Sequence, residues 1–109
     1  MNNIQLSNLE AIPGTTIIKH LGMVQGNTVR AKHVGKDILA GLKNIVGGEL
    51  HAYTELLTES RQQSTDRMLE QARLLGANAV LNIRFSTSSV SPGASELYVY
   101  GTAVVIEAS

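Results

Sequence analysis

A chain of 109 residues is the usual size of one domain around a single core. Nine Lys and Arg balance nine Asp and Glu for a formal net charge of zero, which speaks against nucleic acid or an anionic membrane as the main target and leaves little repulsion between copies. The absence of cysteine excludes disulfides, thiolate metal sites and a cysteine nucleophile. The first residues, MNNIQLSNLEAIPG, lack the basic and apolar regions of a signal peptide. No stretch approaches the roughly 20 apolar residues of a membrane span, so the expectation is a soluble, cytoplasmic protein. With no Trp and one Phe, the core has to be aliphatic. A single domain is expected over residues 1–109. At this length folding buries only about two-thirds of the unfolded surface, so a partner adds noticeably to stability.

Pro13-Gly14 marks a turn. Residues 15–23 are rich in β-branched side chains and read as a strand. Gly26-Asn27 is a two-residue hairpin signal, with a second strand expected over 29–34. Residues 37–46 carry Ile38, Leu39, Leu42, Ile45 and Val46 at the spacing of a short amphipathic helix. Gly47-Gly48 separates it from a long helix expected over 49–75, closed by a C-terminal cap at Gly76. In that helix Leu50, Tyr53, Leu57, Ser60, Ser64, Met68, Ala72 and Leu75 fall on one stripe. The small side chains at its centre permit close approach to a sheet, and Leu57 and Met68 are expected in the core. Glu55, Glu59, Gln62, Asp66, Glu70 and Arg73 make the solvated face.

Residues 79–86 read as a strand with Ala79, Leu81, Ile83 and Phe85 on one face. The polar stretch 86–95 reads as a loop. Residues 96–106 form the last strand, apolar on both faces: Tyr98, Tyr100, Thr102, Val104 and Ile106 on one, Leu97, Val99, Gly101, Ala103 and Val105 on the other. A helix covers only one face, so the other needs the N-terminal hairpin or another subunit.

Several of these segments together resemble the YbjQ family: the Gly47-Gly48-Glu49 helix start, Tyr53, Arg61, the Gly76-Ala77-Asn78-Ala79-Val80 junction and the closing Tyr100-Gly101-Thr102-Ala103-Val104. Leu21-Gly22-Met23-Val24-Gln25-Gly26 is similar to that family's glycine-containing hairpin. The resemblance runs from about residue 13 to 106. It implies an α+β fold like a dodecin subunit, a small antiparallel sheet with one long helix across a face, here with an N-terminal hairpin and short helix. It also implies a ring-shaped homo-oligomer, a pentamer, as the principal partner. The family carries a heavy-metal-binding label, which sits badly with a chain lacking thiolates, the ligands soft metals prefer.

The candidate sites are few. A two-residue turn at Gly26-Asn27 would set His20 opposite His33, with Cβ atoms about 4.5–5.5 Å apart, close enough to share a metal. Two ligands make an incomplete site, and the alternative is that His20, His33 and His51 are ordinary surface or interface residues. Glu49, Tyr53 and Arg61 are ligand or interface candidates. Arg61 with Glu49 and Glu59 suggests ion pairing at a subunit contact, against a catalytic carboxylate that would need a nucleophile or water beside it. Tyr53, Tyr98 and Tyr100 either line a pocket or bury their rings and hydrogen-bond their hydroxyls. No cofactor motif is present, and no linked acid, base and nucleophile. The favoured function is an oligomeric binding or assembly protein holding a small ligand or metal ion at subunit contacts. The alternative is an enzyme with a site shared between subunits.

Overall fold

The structure is a computed structural model that describes residues 3–30, 51–91 and 94–109. Strand β1 (Gln5–Leu6), strand β2 (Thr15–Arg30), helix α1 (His51–Leu75), strand β3 (Ala79–Ser91) and strand β4 (Ala94–Ala108) build one four-stranded sheet in the order β1-β3-β4-β2. β3 and β4 pair antiparallel, as do β4 and β2, while β1 runs parallel to β3. The architecture is thus α+β with a long helix across the sheet, and the sheet is mixed. The short helix expected over 37–46 lies outside the described residues.

Two strands outrun the sequence reading. β2 passes straight through Gly26-Asn27, which pair with Val99 and Tyr98, so no hairpin turn forms there. A turn dipeptide is a local preference, and the continuous ladder to β4 overrides it. The polar stretch after residue 86 is also strand: Ser86, Thr87 and Ser88 pair with Tyr98, Leu97 and Glu96. The apolar β4 supplies the template that the Ser-rich segment lacks by itself.

α1 runs directly into β3. Gly76 adopts a φ of +84°, its N–H donates to the Arg73 carbonyl, and the Ala77 N–H donates to the Ala72 carbonyl, each at 3.0 Å. That double closure is the Schellman cap. The next residue, Asn78, locks β4 in place. Its side-chain amide donates to the Ile106 carbonyl at 2.8 Å and accepts from the Ile106 N–H at 2.7 Å, acting as one extra peptide unit of the ladder.

The core has two layers. Under α1, Met68 and Ala72 pack with Ala77, Val24, Val80, Val99 and Ala103. On the opposite face Ala79, Leu81, Val104 and Ile106 are buried, with Ile12 packed against them. The N-terminal segment wraps the β3 edge, since Ile4 joins the helix-side layer and Ile12 the other. β4 is therefore two-faced as its sequence implies, and residues ahead of β2 cover part of the second face. The exposed helix face is also as read: Glu55, Glu59, Gln62, Asp66, Glu70 and Arg73 are all exposed.

Two side-chain assignments change. Ser60, Ser64, Met68 and Ala72 of the α1 stripe are buried, but Leu57 is 42% exposed and Leu75 47%, because only the middle of the helix lies against the sheet. In β3, Asn82 and Ile83 together oppose Gly101 in a bulge, with Asn82 at a φ of +54°. The extra residue reverses the alternation. Ile83 then packs with the helix-side layer, whereas Leu81 lies in the other, so the expected single face of Ala79, Leu81, Ile83 and Phe85 is split.

Candidate functional site

The most connected polar cluster lies where the middle of α1 crosses the outer edge of β2. Gly26 allows the crossing: a methyl group there would sit 2.0 Å from the Ser64 carbonyl oxygen and 2.6 Å from the Met68 nitrogen. The small residues at the centre of the stripe serve the same approach. Buried Thr28 Oγ1 lies 3.2 Å from Ser64 Oγ and 3.4 Å from the Ser60 carbonyl, and Ser64 Oγ donates to the Leu97 carbonyl at 3.2 Å. Ser64 and Thr28 are thereby satisfied in a dry contact.

Beside that contact, side chains of α1 seal the strand edge. The Gln25 N–H donates to Gln71 Oε1 at 2.9 Å, and Arg67 Nη1 donates to the Asn27 carbonyl at 2.5 Å. Arg67 and Gln71 are four apart and so share a helix face. The Tyr98 hydroxyl donates to Gln25 Oε1, Asn27 Nδ2 donates to Glu96 Oε2, and the Tyr98 and Tyr100 rings stack at 5.3 Å. Of the structural tyrosine reading, Tyr98 meets one half: its hydroxyl is hydrogen-bonded, but its ring is only half-buried. Sequence inspection passes over Gln71 and Arg67 and reads Asn27 only as a turn residue. Their only signal is the spacing of two long polar residues on the helix.

Of the sequence-derived candidates, His20 and Arg61 have described side chains, and they lie on different elements, β2 and α1. His20 is exposed on β2, where it pairs with Val104. Its opposition to His33 depended on the turn that β2 does not make, and His33 and Glu49 lie outside the described residues. Tyr53 belongs to α1 by its backbone, while its side chain, like that of His51, lies outside the described residues. Arg61 is exposed and donates to Thr58 Oγ1 at 3.3 Å within its own helix. The salt bridge found among the described residues is Arg73–Glu70 at 2.6 Å. Hydrogen bonding from Arg73 holds the exposed Glu70 carboxyl below its ordinary value and raises Arg73.

Two open troughs run between α1 and the wrapped N-terminal segment. One, of about 400 Å³, is lined by Asn3, Ile4, Asp66, Leu69, Glu70 and Arg73. The other, of about 340 Å³, is lined by Leu6, Ser7, Asn8, Thr65, Ile83 and Phe85. The first is mixed in charge and the second apolar. Neither brings an acid, a base and a nucleophile together. Among the described residues no group of three or more His, Asp or Glu is placed to hold a metal ion, and no helix there is long and apolar enough to cross a membrane.

Comparison with known proteins gives the family. Residues 4–107 match the YbjQ family, described as "Putative heavy-metal-binding", and the chain belongs to it. A UPF0145 protein of Hahella chejuensis is 66% identical over 102 residues, 94% of this chain and 98% of that one. UPF0145 proteins of Thermus thermophilus (58% over 104 residues, 95% and 91% of the two chains) and Halorubrum lacusprofundi (54% over 101 residues, 93% and 97%) are also similar. Relatives thus occur in bacteria and archaea. A crystal structure of a DUF74-family protein of unknown function from Pediococcus pentosaceus superposes with a TM-score of 0.60 at 18% identity, covering 95% of this chain and 98% of that one, which speaks to the fold alone. The family's metal description does not fit the donors present: the chain has no thiolate, and the described residues assemble no ligand set.

Proposed function

We propose that this protein is an oligomeric binding or assembly protein whose copies hold a small ligand, or a metal ion, at the contacts between them. The observation that carries this reading is the apolar surface that the described residues leave open. Exposed Met23, Ile18, Val29, Phe85 and Leu74 supply apolar side chains for such contacts. A closed ring satisfies every copy with one repeated contact, and a pentamer is the number the family resemblance implies. With no ligand set among the described residues of one chain, this reading draws a metal ion's donors from two.

Light scattering coupled to size exclusion tests the assembly: the mass should be a multiple of 11.7 kDa, fivefold for the pentamer. A stable monomer at micromolar concentration refutes the reading. A thermal-shift screen against metals and metabolites then identifies what binds, because a ligand selective for the folded state raises the melting temperature. Cadmium and mercury should fail to compete with a chromogenic chelator, and stoichiometric submicromolar binding of either would overturn the metal argument.

A further inference from the structure

α1 packs chiefly on β2 and β4, which leaves the helix side of β3 open beyond the bulge. Phe85 stands opposite Val99 of the helix-side layer, yet it is 48% exposed. The N-terminal segment does not close the gap. It leaves the two open troughs, and these share both walls. On α1, Thr65 lines one, while Leu69 and Arg73 line the other; the three are spaced four apart and form one stripe of the helix. On the N-terminal segment, Ile4 lines one and Leu6 the other, and residues two apart on an extended chain share a face. The troughs are therefore the two ends of a single gutter along α1.

The ends differ in chemistry. The end over β3 has an apolar floor of Leu6, Ile83 and Phe85 and no charged side chain in its lining. The other end carries Asp66, Glu70 and Arg73. Glu70 and Arg73 cancel each other in their salt bridge, which two hydrogen bonds hold in place. Asp66 is left over. It accepts a hydrogen bond from the neutral Gln62 amide at 2.9 Å, and among the described residues no cation reaches it. The gutter thus presents one uncompensated negative charge at one end and apolar surface at the other. A complementary ligand carries one positive charge on an apolar body.

We propose that the gutter between α1 and the N-terminal segment binds a small organic amine, its ammonium group on the Asp66 carboxylate and its apolar body on Leu6, Ile83 and Phe85. The ammonium donates a charge-assisted hydrogen bond to the carboxylate, and the apolar body removes Phe85 and its neighbours from water. The two ends, of about 400 and 340 Å³, lie within the roughly 300–1,000 Å³ of small-molecule sites. This site goes beyond the oligomeric reading and does not depend on it, because both walls and the floor come from one chain.

Phe85 is the sole phenylalanine of the chain, so protein grown with 4-fluorophenylalanine gives one fluorine NMR line, from the floor of the site. Titration with phenethylamine should shift that line along a saturating curve. Asp66→Asn, at an exposed position of α1, should weaken the binding about fivefold, the worth of an exposed ion pair. Phenylacetate, with the same body and the opposite charge, should bind the wild type more weakly than phenethylamine does. A line that stays still, or that moves without saturating, overturns the site, as does unchanged binding by Asp66→Asn or phenylacetate binding as tight as that of the amine. Light scattering on the same samples keeps the two readings apart. A monomer that binds phenethylamine upholds the site and refutes the assembly, whereas an assembly that fails to bind it overturns the site alone.

Discussion

Replacing Gly26 with alanine tests the contact on which the sheet-and-helix arrangement turns. The new Cβ would meet the Ser64 carbonyl oxygen at 2.0 Å, the Met68 nitrogen at 2.6 Å and the Arg67 Cβ at 3.0 Å. The two nearest are backbone atoms of α1, so no side chain can rotate out of the way, and the helix has to retreat by roughly 1.4 Å to restore van der Waals contact. Overpacking a close contact costs about 1–3 kcal/mol, and the retreat also strains four hydrogen bonds, between Thr28 and Ser64, from Ser64 to the Leu97 carbonyl, from Arg67 to the Asn27 carbonyl and from the Gln25 N–H to Gln71, each worth about 1 kcal/mol net. A loss of about 3–5 kcal/mol is expected, out of the 5–15 kcal/mol typical of a domain. At about 4–8 °C per kcal/mol for a chain of this size, the melting temperature should fall by at least about 12 °C. Wild type and variant are compared by circular dichroism at one protein concentration, since assembly adds to apparent stability. A loss below about 1 kcal/mol, with folded secondary structure intact, would refute the close approach of α1 to β2.

Three further outcomes are expected. Met68→Ala, at a fully buried position, should cost about 2–5 kcal/mol in chemical denaturation, and Leu57→Ala, at a 42% exposed one, clearly less; equal losses would mean that the stripe is covered along its whole length. Asn78→Ala should cost about 1–3 kcal/mol by orphaning the Ile106 N–H and carbonyl, and an unchanged denaturation midpoint would remove Asn78 as a clamp. The depressed Glu70 carboxyl contributes its stabilisation above its ordinary value and loses it as pH falls through the depressed one; a Glu70 carboxyl NMR titration should show that low midpoint, and Arg73→Ala should return it to the usual range.

Elements whose signal is local were legible in the sequence. The long helix, its Gly76 cap and the two-faced last strand depend on spacing and on a residue suited to positive φ, and each stands in the structure. Elements decided by a distant partner were not. Gly26-Asn27 reads as a turn because those residues favour turns, yet Gly26 is needed for lack of a side chain, under a helix that begins more than twenty positions later. The Ser-rich half of β3 carries no apolar alternation and is strand only because β4 lies alongside. The bulge at Asn82 and Ile83 leaves no mark that alternation can detect. Of the candidate residues, His20 and His33 were joined by a turn that does not form, while Arg67 and Gln71 gave no hint because their targets are backbone groups of another element. Asn78 was visible only as part of a family motif, and its two bonds to Ile106 give that motif a mechanical reason.

The bulge in β3 has a consequence for how this chain can vary. Up to Leu81 the strand addresses one layer with its odd-numbered side chains, and from Ile83 onward the same parity addresses the other. The strand therefore behaves like a message with a deliberate shift of frame at Asn82. Deleting that one residue would restore regular pleating and still deliver everything downstream to the same layers: Ile83 would oppose Gly101 alone, Arg84 would stay opposite Tyr100, and Phe85 would stay opposite Val99 on the helix side. A single deletion at residue 82 should thus keep both layers served, whereas flattening the bulge with the residue retained would send Phe85 to the far side of the sheet and Arg84 and Ser86 beneath the helix.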